Sequence, residues 1–181
     1  LAADLLEFSS TGSGGVLWDD DCNEVRFDGV RADKMTDLAL EYLKKPSSAP
    51  RFLFLSFLEP HHQNTSCKFE CPEGYGEVFK DFPVPGDLAG LKGNYRENYA
   101  DYLGCCKVLD ENVGRIVRCL KECGRYDNTL IVYTSDHGCH FKTRNKDAHL
   151  TGADDYKRTC HDSALRVPLV ISGGAFRGGV H

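Results

Sequence analysis

The sequence has no excess of positive charge. Its 22 Lys and Arg residues are outnumbered by 27 Asp and Glu residues, which gives a net charge of -5. This balance offers no electrostatic basis for binding nucleic acid or an anionic membrane. No apolar run approaches the roughly 20 residues that span a bilayer, and no signal peptide, internal repeat or low-complexity tract is present. The composition, with 41% hydrophobic and 27% charged residues in a chain of 181, is typical of one globular domain.

A start methionine is also lacking. The chain opens at Leu1 and stops at GGAFRGGVH, where a strand pattern has just ended. We therefore expect a fragment of a longer protein.

Helix and strand patterns alternate along the chain. One helix is predicted from Asp33, as its N-cap, to the stop at Pro46, and another, in one piece or two, over residues 94–123. Buried strand patterns follow at 51–58 (RFLFLSFL) and 129–134, and a final strand pattern at 167–172, whereas 1–29 and 63–93 are irregular. Because the connections are of crossover length, we predict an α/β fold with a largely parallel central sheet flanked by helices, incomplete in this chain.

The most informative stretch is NTLIVYTSDHG, residues 128–138. An apolar, β-branched run of strand length ends in Asp136 and His137, and Gly138 allows a sharp turn. Ligands of open α/β sheets gather at the carboxyl ends of strands. A carboxylate beside an imidazole there suits a divalent metal, although a capped turn with an incidental His is the alternative.

A second motif lies downstream, in YKRTCHDSALRVPLVIS. Lys157 precedes Arg166 by nine residues, with Asp162 between them and an Arg-x-Pro step into a strand. Together with Asp136-His137 and the upstream FLFLSFLEPHH, this pattern resembles the sulfatases of the alkaline phosphatase superfamily. The resemblance covers the chain from about residue 28 onward, and it implies the later part of a sulfatase catalytic domain.

The resemblance assigns roles to individual residues. It implies that Asp136 and His137 are half of a metal site, with Ca²⁺ favoured and Mn²⁺ or Mg²⁺ as alternatives. It implies that Lys157 contacts the sulfate and that His61 binds sulfate and protonates the leaving oxygen, with His62 as the alternative because the register is ambiguous by one. His161 is a further candidate for substrate binding. An Asp162–Arg166 ion pair is expected to hold the Lys157 loop.

The nucleophile of the family is missing. Sulfatases carry Cys or Ser in C/S-x-P/A-x-R, which is converted to formylglycine. Cys22 and Arg26 have the spacing but Glu24 replaces Pro or Ala, so we treat the match as coincidence, and Asp19–Asp21 as a solvated acidic turn. We expect the formylglycine and the first half of the metal site upstream of this chain, and no activity from the chain alone.

Nine cysteines leave several pairings open. Cys139 and Cys160, each followed by His, suggest a disulfide or, less well by spacing, a zinc site. Cys67 and Cys71 are a second candidate pair, and the cysteines of the long helix are expected to be buried thiols. The sequon at Asn64 and the resemblance favour a secreted, periplasmic or lysosomal protein.

The resemblance implies hydrolysis of sulfate esters, with sulfated carbohydrate as a candidate substrate. Two alternatives stay open. One is a phosphonate or phosphodiester hydrolase of the same superfamily, and the other is a non-catalytic homologue that binds sulfated ligands.

Overall fold

The computed structural model describes residues 14–63, 68–143, 157, 159–174 and 176. They form two compact units. The first comprises the described residues up to Phe82 together with Tyr99–Cys119, and the second comprises Pro83–Asn98 and the described residues from Leu120 onward. In the described part of the chain, no helix is both long and apolar enough to cross a membrane.

The elements in chain order are β1 (Gly15–Trp18), β2 (Glu24–Phe27), α1 (Arg31–Lys44), β3 (His62–Gln63), β4 (Lys68–Phe69), α2 (Gly86–Ala89), α3 (Tyr95–Glu122), β5 (Ile131–Thr134), α4 (Asp162–Leu165) and β6 (Leu169–Ser172). Short 3₁₀ turns lie at Gly76–Phe79 and Tyr126–Asn128.

The first unit opens with an antiparallel hairpin of β1 and β2. Its turn is the acidic run, in which Asp19 Oδ1 accepts the amide hydrogens of Asp21 (3.0 Å) and Asn23 (2.8 Å). The carboxylate replaces the backbone partners that a four-residue turn leaves open. The expected solvated turn is confirmed, with Asp20 and Asp21 exposed.

Helix α1 ends where the sequence predicted but begins earlier. Lys45 is its C-cap, one residue before Pro46. The prediction of Asp33 as N-cap is wrong, because Val30 occupies that position and Asp33 lies in the first turn. There the Asp33 carboxylate benefits from the helix dipole and accepts a hydrogen bond of 2.9 Å from Asn112 Nδ2 of α3.

The apolar segment 52–58 is not a strand in this structure. It pairs with no strand in the described part of the chain, and the side chains of Phe52 and Phe54 are 84% and 80% exposed. The prediction of a buried strand here is therefore wrong. Apolar content alone does not form a strand, because the backbone also needs a neighbouring strand as its hydrogen-bond partner.

Helix α3 is one continuous helix of 28 residues. In the first unit it contacts α1 through the Asn112–Asp33 hydrogen bond and β4 through the rings of Tyr102 and Phe69, whose centroids are 5.3 Å apart. The buried apolar residues of this unit include Leu17, Ala32, Ala39, Phe69, Cys105, Val108, Leu109 and Cys119.

The second unit contains β5 and β6, the two strands that carry the sequence motifs. They pair antiparallel, with Val132 opposite Ile171, and all three pairings in the described residues are antiparallel, which differs from the parallel pairing we expected. The connection 135–168 is long enough for either direction, so its length did not fix the orientation of β6. An apolar run such as that of β5 is typical of a strand buried on both faces, but Val132 of β5 is 54% exposed, so one face of β5 is open in the described residues.

Candidate functional site

The candidate site lies where β5 ends. Asp136 and His137 come two and three residues after Thr134, the last residue of β5, and the Asp136 carboxylate turns back over the following peptide. Asp136 Oδ1 accepts the backbone N–H of His137 at 3.0 Å. Ser135 Oγ donates to the His137 carbonyl oxygen at 2.8 Å. These short-range bonds hold the turn in one conformation and fix the two side chains beside each other.

The imidazole of His137 has a defined orientation. Its Nδ1 lies 2.8 Å from the carbonyl oxygen of Gly138. A carbonyl oxygen only accepts, so Nδ1 carries a hydrogen, and in the neutral ring Nε2 presents its lone pair. A backbone carbonyl on one ring nitrogen is the arrangement that fixes the tautomer of metal-binding histidines.

The lone pair of His137 Nε2 lies beside the Asp136 carboxylate. The distance from Nε2 to Asp136 Oδ2 is 3.6 Å, and the Asp136 side chain is 84% exposed. One cation at about 2.1 Å from a nitrogen and about 2.3 Å from an oxygen could bind both atoms. The two residues therefore fit a divalent ion.

Two ligands do not complete a metal site. Among the residues that the structure describes, no group of three or more His, Cys, Asp or Glu side chains could hold a metal ion. The pair therefore supplies two ligands, its assignment as part of a metal site stays a prediction, and further ligands would have to come from other residues.

Gly138 joins this turn to helix α4. Its amide donates to the Ala164 carbonyl oxygen at 2.8 Å. A side chain at this position would be impossible without movement, because a Cβ would lie 2.3 Å from the Ser163 carbonyl oxygen and 3.2 Å from that of Arg166. Gly138 is therefore needed for close approach of two backbones, in addition to the turn that we predicted.

The contact between Gly138 and α4 places the segment that contains His161 next to the turn that contains Asp136 and His137. His161 is the N-terminal capping residue of α4, and its carbonyl oxygen accepts the amide hydrogen of Ala164 at 2.8 Å. Its side chain is exposed. Lys157 is half-buried, and its carbonyl oxygen accepts the Thr159 amide at 2.8 Å.

Asp162 and Arg166 are connected differently from the prediction. The Arg166 amide donates to the Asp162 carbonyl oxygen at 2.7 Å, closing the single turn of α4. Within the part of the chain that the structure covers, their side chains form no ion pair, and both are exposed. The turn is held by its backbone hydrogen bonds and by the contact with Gly138. The prediction of an Asp162–Arg166 ion pair is therefore wrong.

The cysteines on either side of the motifs are not joined. Cys139 and Cys160 are both thiols, so the predicted Cys139–Cys160 disulfide is wrong for this structure. The zinc alternative also has no support in the described residues. Cys160 is exposed on the short turn before α4, whereas Cys139 leads into the fully buried His140.

The loop after Gly138 is anchored by residues that the sequence reasoning missed. The Asn94 amide donates to the Phe141 carbonyl oxygen at 3.0 Å. A Cβ on Gly93 would lie 2.6 Å from that same oxygen, so only glycine admits this contact. Phe141 itself is in the left-handed region, with φ 48°. The Gly93-Asn94 dipeptide was a turn signal that could have indicated such a contact.

In the first unit, His61 and His62 differ in burial. His62 is 6% exposed and packs edge-to-face on Phe69, with ring centroids 5.2 Å apart. It is part of the core. His61 is half-buried and lies just after the turn in which its amide donates to the Leu58 carbonyl oxygen at 3.0 Å. Core packing of His62 favours His61 as the residue available for chemistry.

Comparisons with known proteins all point to one protein family. The sequence model of the sulfatase family matches residues 7–175. The multifunctional alkaline phosphatase superfamily protein PehA of Trinickia caryophylli is 30% identical over 172 residues, covering 75% of this chain and 31% of PehA. The N-acetylglucosamine-6-O-sulfatase of Bacteroides thetaiotaomicron is 37% identical over 89 residues, covering 48% of this chain and 14% of that enzyme.

A solved structure agrees. The putative sulfatase yidJ from Bacteroides fragilis superposes with a TM-score of 0.73 at 25% identity, over 90% of this chain and 36% of that one. This likeness confirms the predicted sulfatase-like α/β fold. The chain spans about a third or less of the length of the curated relatives it matches. By the match across nearly all of its length, the chain belongs to the sulfatase family.

Proposed function

We propose that this chain is the later part of the catalytic domain of a metal-dependent enzyme that hydrolyses sulfate esters. The observation that carries the proposal is the pair at the end of β5. Asp136 Oδ2 and His137 Nε2 lie 3.6 Å apart, with the Nδ1 hydrogen of His137 donated to Gly138. In a member of the sulfatase family, two ligands so oriented are the expected half of its metal site.

The roles of the residues follow from their chemistry. Asp136 and His137 would hold the ion, Ca²⁺ in the first instance, with Mn²⁺ and Mg²⁺ as alternatives. When bound, a divalent ion supplies charge that polarises the sulfate oxygens and orients the nucleophile. Lys157 would add a cationic donor to the sulfate oxygens, where negative charge develops.

Proton transfer is assigned to histidine. His61 would protonate the oxygen of the departing alcohol, a role that needs a group titrating near neutral pH. The exposed ring of His161 would contact substrate beyond the sulfate. A formylglycine from the upstream C/S-x-P/A-x-R motif would be the nucleophile, so the chain alone should have no activity.

The substrate class and the compartment belong to the same proposal. The match to an N-acetylglucosamine-6-O-sulfatase supports sulfated carbohydrate as the substrate. The sequon at Asn64 supports secretion, or delivery to the periplasm or lysosome, where sulfated glycans are met.

The proposal is tested with the full-length protein that contains this chain, carrying formylglycine. We expect hydrolysis of 4-nitrophenyl sulfate that is lost with a chelator and restored by Ca²⁺. Asp136→Asn removes the negative charge of one ligand and His137→Ala removes the other ligand, so each should lower kcat/KM by roughly 100-fold or more. Asp127→Asn, an exposed carboxylate just before β5, is the matched control and should retain activity. Activity that persists in both ligand variants would refute the assignment.

A second candidate is hydrolysis of phosphonate or phosphate diesters. The similarity to a multifunctional alkaline phosphatase superfamily protein favours it over unrelated reactions. The ratio of kcat/KM for 4-nitrophenyl sulfate to that for a phenylphosphonate monoester separates the two, and a ratio below one would favour the second. A full-length protein that binds sulfated glycan but hydrolyses neither would be a non-catalytic homologue.

A further inference from the structure

A pair of cysteines in the first unit is not used by the proposed reaction. Cys71 lies between β4 and the 3₁₀ turn, and Cys105 lies on α3, 34 positions later in the chain. Both are thiols in the structure, Cys71 half-buried and Cys105 fully buried. The two side chains interact, and this interaction lowers the pKa of Cys71 and raises that of Cys105.

The backbone of α3 brings Cys71 this close. A Cβ on Gly104 would lie 2.8 Å from Cys71 Sγ and 3.1 Å from Cys71 Cβ. Glycine inside a helix is normally unfavourable relative to alanine. Here its missing side chain leaves the space that Cys71 fills.

Other contacts fix Cys71 against the same helical face. Its Sγ lies 3.8 Å from Asp101 Oδ1. Because positions 101, 104 and 105 are three and four residues apart, they share one side of α3. The segment after Cys71 also packs closely on this side of α3, since a Cβ on Gly76 would lie 2.2 Å from Asp101 Oδ1. Cys71 is therefore held over the face on which Cys105 lies.

We propose that Cys71 and Cys105 are the two halves of a disulfide, which forms when the protein meets a disulfide oxidant such as glutathione disulfide. It would join the loop before Gly76 to the middle of α3. The contacts with Gly104 and Asp101 hold the sulfur of Cys71 over the side of α3 that carries Cys105, so we expect the bond to form without a large change in the fold.

The order of the steps follows from exposure. Cys71, the more accessible thiol, attacks one sulfur of the oxidant as its thiolate, forms a mixed disulfide and releases one glutathione. Cys105 then loses its proton and attacks the Cys71 sulfur, which releases the second glutathione. The two protein thiols lose two electrons, which reduce one glutathione disulfide to two thiols. The lowered pKa of Cys71, caused by the hydrogen bond from Cys105, supports this order.

The test uses the purified full-length protein that contains this chain, equilibrated in glutathione buffers from fully reduced to fully oxidised. Remaining thiols are blocked with N-ethylmaleimide in denaturant, and tryptic peptides are mapped without reduction. Trypsin places Cys71 in peptide 69–80 and Cys105 in peptide 97–107, and cleavage after Lys68 separates Cys67 from both. We expect peptides 69–80 and 97–107 to become linked as the oxidised fraction rises.

Matched variants identify the partner within peptide 97–107, which also holds Cys106. Cys105→Ser should abolish the link, whereas Cys106→Ser should preserve it. Retention of the link in Cys105→Ser, or its loss in Cys106→Ser, would overturn the assignment. So would linkage of peptide 69–80 to the peptide of Cys67, or full alkylation of Cys71 in oxidised buffer. The wild-type map and Cys106→Ser decide the question even if Cys105→Ser does not fold.

Discussion

The amide of Gly138 donates a hydrogen bond of 2.8 Å to the carbonyl oxygen of Ala164. This bond joins the turn that carries Asp136 and His137 to the segment that carries His161. Two motifs about 25 residues apart in the sequence thus form one structural unit. The position of the candidate metal ligands depends on a backbone contact that no side chain could replace.

Gly138→Ala is therefore expected to damage the site. Its Cβ would lie 2.3 Å from the Ser163 carbonyl oxygen, and because that atom is backbone, the turn or α4 has to move. We expect a loss of about 2 kcal/mol in the free energy of unfolding, measured by urea denaturation. Gly90→Ala is the control, since a Cβ there meets no atom within 4 Å. Equal stabilities of the two variants would contradict the close contact.

The two adjacent histidines should respond differently to substitution. His62→Ala removes a buried ring that packs on Phe69, so we expect a loss of about 2 kcal/mol in the free energy of unfolding. His61→Ala removes a half-buried ring and should cost less than about 1 kcal/mol. The same urea denaturation measures both. A larger loss for His61→Ala would reverse the assignment of core and candidate catalytic residue.

These examples show what the sequence could and could not predict. The end of α1 before Pro46, the strand at residues 131–134 and the pair Asp136-His137 were predictable because each depends on residues close in sequence. Segment 52–58 looked equally like a strand, but a strand also needs a partner, and its pattern does not supply one. The direction of β6 relative to β5 was likewise a long-range property.

The finer geometry of the site was also beyond the sequence. Nothing in the order Asp-His-Gly shows that His137 Nδ1 donates to the very next carbonyl oxygen, or that Gly138 packs against Ser163. The prediction of a Cys139–Cys160 disulfide failed for the same reason. Cys67, the other candidate partner of Cys71, lies outside the described residues, and the fold places Cys71 over the side of α3 that carries Cys105, 34 positions away.

A buried polar side chain of α3 joins that helix to α1. Asn112 is 1% exposed, and its Nδ2 donates to Asp33 Oδ1 and to the Val108 carbonyl oxygen, both at 2.9 Å. Its Oδ1 accepts from Arg115 Nη1. We expect Asn112→Ala to lower the free energy of unfolding by about 2 kcal/mol, since three hydrogen bonds are lost. Asn128→Ala, at an exposed position, should change it by less than about 0.5 kcal/mol. A loss for Asn112→Ala no larger than that of the control would show that solvent replaces the lost partners.

Two cysteines should differ in their reaction with iodoacetamide. Burial raises the pKa of Cys106 to about 11, whereas the hydrogen bond from Cys105 lowers the pKa of Cys71. Only the thiolate reacts, and it is populated above the pKa. In the reduced protein at pH 8 we expect Cys71 to react at least about tenfold faster than Cys106. The rate at Cys106 should keep rising toward pH 11. Both rates are followed by peptide mass spectrometry. In denaturant the two rates should become equal. A difference in rate that persists in denaturant would mean that the fold does not cause the difference.

Two glycines of α3 offer a matched pair for the packing of Cys71. A Cβ on Gly104 would lie 2.8 Å from Cys71 Sγ, whereas a Cβ on Gly114 meets nothing within 4 Å. Gly114→Ala should raise the free energy of unfolding by about 0.5–1 kcal/mol, because alanine favours the helix. Gly104→Ala gains the same propensity but has to displace Cys71, so we expect a net loss of about 1–2 kcal/mol. Both are measured by urea denaturation of the reduced protein. If Gly104→Ala were as stabilising as Gly114→Ala, Cys71 would not be packed on the helix, and the proposed disulfide with Cys105 would lose its structural basis.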